Sequence, residues 1–379
     1  MSEAGTAVVR SWLALPLPRD VAAALERLAA SDDVRRIAVM PDVHLSADVC
    51  VGTVVATGST LYPNAVGGDI GCGVAAIAFD AEAAVLDDER AAARVLAGLY
   101  RAVPFARHGR EAGGRLPPDL GARPLSAASL EARKRSEAAF QVGTLGSGNH
   151  FVELQADDEG RLWLMLHSGS RGIGQAIRDH HLALSTTGRR GLRFLEAASP
   201  LGRAYLDDVG WALAYAQANR RALADAVLDV VEPALGVRRD ESSWVSCDHN
   251  HVRRESHGGE DLWVHRKGAM SAALGEPGLL PGSMGTRSFH VEGRGCAEAL
   301  SSSAHGAGRR MSRTDARRAL SARDVARELR RVFYDHRRAA SLREEAPSAY
   351  KEVDAVLRAQ AELVRVVRRL RPVLSFKGS

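Results

Sequence analysis

The chain has 379 residues, 45% of them hydrophobic and 26% charged, with a formal net charge of +5. This is the composition of a soluble globular protein: no apolar run approaches the roughly 18 residues of a membrane span. Cys50, Cys72, Cys247 and Cys296 are scattered without a CxxC pair, which excludes a disulfide framework or a zinc ribbon.

Met1–Gly5 lacks the basic start and apolar stretch of a secretory signal, so a cytoplasmic protein is expected. In chain order, amphipathic spacing predicts helices near 19–30, 87–102, 127–140, 205–232, 313–333 and 347–370. Short apolar runs between them read as strands that end in polar residues. Ile37–Met40 leads into Pro41-Asp42-Val43-His44, and Leu162–Leu166 into His167. Trp244–Ser246 leads into Cys247-Asp248-His249-Asn250, and Leu262–Val264 into His265. A rigid sheet commonly presents a site in this way. Gly113–Pro124 is the best loop candidate, and no repeat or low-complexity linker divides the chain. Much of the basic excess falls in Arg309–Arg331 and Arg365–Arg371, read as helical segments whose charge suits a solvated face or a nucleic-acid track. Because the unusual residues run from Asp42 to Lys377, one large mixed α/β domain over 1–379 is expected, of α+β type with central sheets flanked by helices.

Gly67-Gly68-Asp69-Ile70-Gly71-Cys72-Gly73 sets a carboxylate and a thiol three residues apart among four glycines. Their permissive backbone lets both groups converge on one ion. Gly146–Glu153 is a glycine turn running into a strand, with His150 near its start. His167-Ser168-Gly169-Ser170-Arg171-Gly172 adds a second histidine, followed by hydroxyls and an arginine suited to an oxyanion, and Cys247–His251 supplies a third. Together they predict a two-metal site with a thiolate free to bridge both ions. The ligand types leave manganese, iron and zinc open. His305, in Ser303–Arg309, suits phosphate chemistry. A neutral imidazole can attack phosphorus, the glycines admit an anion to the backbone, and an arginine can fork two phosphate oxygens.

The ordered set GGDIGCG, GTLGSGNHF, HSGSRG, HN, RKGA, PGSMG, HGAGR and FKG resembles the RtcB family, the GTP-dependent RNA ligases of tRNA splicing and RNA repair. The resemblance covers nearly the whole chain, from Met40 to Gly378. It implies that His305 becomes guanylylated, and that Asp69, Cys72, His150, His167 and His249 hold two manganese ions, with Cys72 shared. It implies a GTP pocket formed by Asn149, His150, Phe151, Val152, Glu153, His249 and Asn250. Pro281, Gly282, Ser283, Met284, Ser288, His305, Gly306, Ala307, Gly308 and Lys377 complete that pocket. Arg171, Arg309 and Arg313 are similar to arginines that handle RNA phosphates or active-site anions. RNA ends are the implied substrate, an activator such as archease the implied partner, and no membrane is involved.

The residue chemistry agrees with these roles. Glu153 can accept from guanine N–H groups, a reason for GTP over ATP. Pro281–Gly285 reads as a tight turn able to bind a nucleotide, and Lys377 as an ordered contact. Ser46 and Asp48 stand where relatives commonly carry glycine, Cys50 is also unusual there, and Asp248 replaces a histidine often seen beside the ligand His249. The expected activity is ligation of a 3′-phosphate or 2′,3′-cyclic phosphate to a 5′-hydroxyl. The departures motivate an alternative, a 3′-end guanylyl-capping paralogue, and the basic charge a further one, a non-catalytic RNA-binding relative.

Overall fold

A computed structural model of the chain describes residues 7–109, 111 and 114–378. Two large sheets carry it. The first runs, neighbour to neighbour, through Val8–Ser11, Val34–His44, Val51–Thr57, Glu260–Lys267 and Asn250–His257. The second runs through Arg239–Asp248, Gly73–Glu82, Arg161–Ser168, Phe151–Asp157, Val364–Lys377, Ser288–Gly293 and Pro277–Leu280. Val8–Ser11 lies parallel to Val34–His44, whereas the second sheet is antiparallel throughout. The chain crosses from the second sheet to the first at His249, between Asp248 and Asn250. This is the expected mixed α+β class, with sheets flanked by helices.

The longest helix, Pro200–Leu235, shows why the layers hold. Ser199 caps it by accepting from the Gly202 N–H, Pro200 occupies the first turn, and Gly236 ends it at φ 70°. Its Leu223, Val227, Leu228 and Val231 pack on Ile77, Leu164 and Leu166 of the second sheet. Tyr205, Trp211 and Tyr215 pack on Ile173 and Ile177 of a second helix, Arg171–Leu184. Burying each such side chain is worth about 1.5–3 kcal/mol.

Helices at Arg19–Ala29 and Glu89–Ala102 match the sequence reading, and 127–140 is helical in three consecutive pieces. The 313–333 segment breaks into Arg313–Ala319 and Ala322–Glu328, because Ser321 and Asp324 form a capping box that starts a new helix. The 347–370 helix is a misreading. Only Pro347–Ala349 and Val353–Ala359 are helical there, and Val364–Lys377 is a strand in the middle of the second sheet. Val364 and Leu370 face inward while Arg365, Arg369 and Arg371 are exposed, a period of two rather than 3.6. Within the loop expected at 113–124, Gly113 lies outside the described residues and Pro118–Ala122 forms a short helix.

Candidate active site

Strand register gathers the metal-type residues. Gly73 pairs with Ser168 on one side and Asp248 on the other, and His167 pairs with Val74 and Phe151. Cys72 just before Gly73, His150 just before Phe151, His167 itself, and His249 just after Asp248 therefore reach the same end of one sheet. The Cys72 Sγ lies 3.5 Å from His150 Nε2 and 3.2 Å from His167 Nε2. His167 Nε2 is 3.3 Å from His249 Nε2, and His150 Nε2 is 3.1 Å from Asp69 Oδ2. Two donor triads result, Asp69 with Cys72 and His150, and Cys72 with His167 and His249, each with its donor atoms within 4.8 Å of one another. Gly169 is required beside them, since a Cβ there would stand 2.3 Å from Asp69 Oδ1.

Hydrogen bonds behind the rings decide which nitrogen faces inward. His150 Nδ1 donates to the Leu145 carbonyl (2.9 Å) and His167 Nδ1 to the Asn149 carbonyl (3.1 Å). Each Nε2 is left with a lone pair. Burial, and then neighbouring imidazoles, push His167 and His249 well below the ordinary histidine range, so both rings are neutral. Two imidazoles facing each other beside a sulfur and a carboxylate form a donor set that fits cations. Burial, and then the Asp69 charge, push the Cys72 thiol well above its ordinary value, so a thiolate there needs a cation's field.

The first sheet supplies the other half. Strand Glu260–Lys267 turns into Ala269–Ser271, which pairs with Ser302–Ala304, so His305 emerges at the end of that ladder. Asp42, fully buried on Val34–His44, accepts from His305 Nδ1 (2.6 Å) and from the His305 backbone N–H (3.2 Å). With Nδ1 engaged, Nε2 is the available ring nitrogen. The His305 and His249 ring centroids are 4.6 Å apart. Gly308, at φ 71°, lies so close that a Cβ would stand 2.3 Å from the Asp42 carbonyl oxygen. Lys351 Nζ donates to the carbonyls of Pro41 (3.0 Å) and Val43 (2.6 Å), and Lys267 Nζ to that of Val49 (2.7 Å). Lys351 thus brackets Asp42, and Lys267 holds the loop that follows its strand.

Both halves face one cavity of about 860 Å³, within the range of small-molecule sites. Asp69, Cys72, His167 and His249 line it beside His305, and so do Asn149, Phe151, Glu153 and Asn250. Pro281–Met284, Ser288, Gly306–Arg309, Arg313 and Lys377, also expected from the sequence, line it too. Burial pushes the Glu153 carboxyl up to about 7, while Gln155 and Ser375 donate to it. Asn250 spends its amide on the Asp69 carbonyl and the Gly268 N–H. Lys377 Nζ is paired with Glu345 at 2.7 Å.

Three expected residues stand off the cavity wall. His150 lies behind Asp69 and Cys72, and Val152 turns into the core with Leu154 and Leu166. Arg171 donates to Thr144 and to the Phe105 carbonyl. Arg309 is on the wall, but its guanidinium is committed to Glu345, Tyr350 and the carbonyls of Glu344 and Met311. His265, grouped with the strand-end histidines, is inside its strand, where its Nε2 accepts from the Tyr62 N–H. Sequence reasoning gave no role to Asp42, Lys351, Glu345 or Tyr350. The Pro-Asp-Val-His run was a signal for the first; the others carry none, since their partners are remote in sequence.

The fold and site define a class: an α+β protein in which a shared-thiol metal-donor cluster and a carboxylate-held histidine meet in one cavity. The family model described as tRNA-splicing ligase RtcB matches residues 24–119 and 119–378, and the chain belongs to the RtcB family. It is 38% identical to the RNA-splicing ligase RtcB of Escherichia coli over 376 residues, covering 91% of this chain and 90% of that one. It is 33% identical to the RNA-splicing ligase RtcB of Mycobacterium tuberculosis, covering 91% and 97%. Identity to the tRNA-splicing ligase RtcB of Archaeoglobus fulgidus is 30%, covering 90% and 87%. Among the described residues no helix is long and apolar enough to cross a membrane.

Proposed function

We propose that the chain is a GTP- and manganese-dependent RNA ligase that joins 3′-phosphate or 2′,3′-cyclic phosphate ends to 5′-hydroxyl ends through a His305–GMP intermediate, as in tRNA splicing or RNA repair. The observation that carries this reading is the Asp42-held His305 ring packed against the ligand-type His249 inside a nucleotide-sized cavity. The relatives' names as RNA ligases supply the reaction class.

In this reading His305 Nε2 attacks the α-phosphorus of GTP, forming an N–P bond as the bond to pyrophosphate breaks. Asp42 orients the ring and offsets the charge it gains. A 2′,3′-cyclic phosphate is first hydrolysed, water adding to phosphorus as the P–O2′ bond breaks and the 2′-oxygen takes a proton. The RNA 3′-phosphate then takes the GMP, breaking the N–P bond and returning the lone pair to His305. The 5′-hydroxyl finally attacks the activated 3′-phosphorus, and GMP leaves. Asp69, Cys72, His150, His167 and His249 would hold the manganese, which when bound supplies Lewis-acid charge to phosphate oxygens. Glu153 accepts from guanine N–H groups, and Arg313 at the cavity mouth meets RNA phosphate.

Incubation with GTP labelled at the α-phosphate and manganese tests the central step. An acid-labile protein adduct is expected, absent from a His305→Ala variant; its persistence there overturns the assignment.

Ser46 lines the cavity beside Leu45, which favours examining a second reading, a 3′-end guanylyl-capping enzyme. Matched RNA ends that yield only capped 3′ termini, and no sealed strand, would establish it.

A further inference from the structure

Charge is distributed unevenly along this chain. Residues 309–343 hold twelve arginines and four carboxylates, a balance of +8 within a chain whose whole balance is +5. All the other residues together therefore carry −3. The long helix Pro200–Leu235, an ordinary partly solvated helix, holds three arginines and five carboxylates by comparison.

The arginine-rich segment has its own small core. Val325, Leu329, Tyr334 and Leu342 pack there on Met284, which also lines the main cavity. Most of its guanidiniums are exposed, whereas Arg309 turns inward to Glu345. Arg310, Arg318, Arg323, Arg330 and Arg331 are exposed and, among the described residues, form no ion pair. Arg310 and Arg313 stand on the main cavity wall. A second concavity of about 380 Å³ is lined by Gly285, Val332, Arg327, Arg330, Arg331 and one carboxylate, Glu328. Since Pro281–Met284 line the main cavity, the two hollows lie on either side of one tight turn.

We infer that Arg310, Arg318, Arg323, Arg330 and Arg331 form a track for the body of an RNA strand whose end occupies the main cavity. The inference rests on the RNA-ligase reading and extends it to the RNA beyond the reacting ends. Unpaired like charges close together in one short segment repel each other, and a polyphosphate backbone is the ligand that relieves that field while releasing its own counterions. The track meets phosphates rather than bases. Tyr334 is buried and Phe333 half-buried, so the segment offers no exposed phenyl or indole ring for stacking. Binding along the track is therefore indifferent to base sequence and steep in salt.

The test compares a long RNA bearing a 3′-phosphate with a short oligonucleotide that fills only the main cavity, both titrated against the full chain at several salt concentrations. Arg330→Glu combined with Arg331→Glu is expected to weaken the long RNA at least about tenfold and to reduce its salt slope by about 2, one for each phosphate left without its arginine. Short-oligonucleotide affinity stays the same. The matched Arg330→Lys, Arg331→Lys variant retains most of the long-RNA affinity. Formation of the GMP adduct, which needs no RNA, reports that the variants are folded. Unchanged long-RNA affinity and slope in the charge-reversed chain overturns the inference, as does equal weakening of the short oligonucleotide or a preference for anionic lipid vesicles over RNA. A wild-type chain that grips long RNA through these arginines but forms no adduct refutes the ligase reading and supports the track.

Discussion

One carboxylate oxygen of Asp42 receives both the ring Nδ1–H and the backbone N–H of His305, across a sequence separation of 263. The other oxygen, Oδ1, has no hydrogen-bond partner among the described residues, so the carboxylate is anchored largely through the histidine it holds. Asp42→Asn keeps the shape but offers an amide that no longer selects one tautomer. Guanylylation of His305 is expected to slow by about 10²–10⁴, while GTP binding and the circular dichroism spectrum stay unchanged. A wild-type adduct rate in Asp42→Asn would remove Asp42 from the mechanism.

Cys72 belongs to both donor triads, whereas His150 and His249 belong to one each. Metal analysis after dialysis against manganese should find Cys72→Ala almost empty, and His150→Ala and His249→Ala each holding about half the wild-type content. Full occupancy in Cys72→Ala would exclude a shared sulfur.

On the proposed function, Glu153 makes nucleotide affinity depend on pH. Burial raises its carboxyl to about 7, and only the ionised form can accept from both guanine N–H groups. GTP affinity should therefore fall as pH drops below about 7, by up to about tenfold per pH unit, and Glu153→Gln should flatten the profile and weaken the preference for GTP over ATP. Stability moves the opposite way. A carboxyl raised in the folded state favours folding fully below its unfolded value near 4.5, and that contribution is lost as pH rises through about 7. Isothermal titration and urea unfolding across pH 5 to pH 8 follow the two trends; a flat binding profile in the wild type refutes the guanine contact.

Glu345 and Lys377 are an almost fully buried pair, with side chains 3% and 5% exposed. Glu345 also accepts from Arg309 and Tyr350. Glu345→Ala leaves two cations without their acceptor and should lower stability by about 3–5 kcal/mol in urea unfolding. Adding Lys377→Met should recover part of that loss; if it recovers none, the damage comes from Arg309 and Tyr350 instead.

The grouping of Asp69, Cys72, His150, His167 and His249 could be read from the sequence because its cues are local. Asp69 and Cys72 sit in one glycine turn, and each histidine marks the end of an apolar run that becomes a strand in register with its neighbours. The pairing of Asp42 with His305 was not legible, because it joins Val34–His44 to a ladder formed by residues far along the chain. Val364–Lys377 was misread since closely spaced arginines and valines satisfy a helical stripe as easily as an alternating one, and only its two partner strands decide between them. Helix Arg171–Leu184 escaped because its first turn, Arg171-Gly172-Ile173-Gly174, carries two poor helix formers and reads as loop.

The position of Val364–Lys377 between Phe151–Asp157 and Ser288–Gly293 also orders events during biosynthesis. Both flanking strands leave the ribosome well before it, so the growing chain holds its second sheet in two unjoined parts with bare inner edges. Glu345 meanwhile waits for Lys377. A nascent chain can already possess Asp69, Cys72, Asp42 and His305, yet the main cavity lacks Lys377 until this strand slots into the gap. The cavity is thus completed in one late step, and the same step covers two sheet edges that would otherwise stay open.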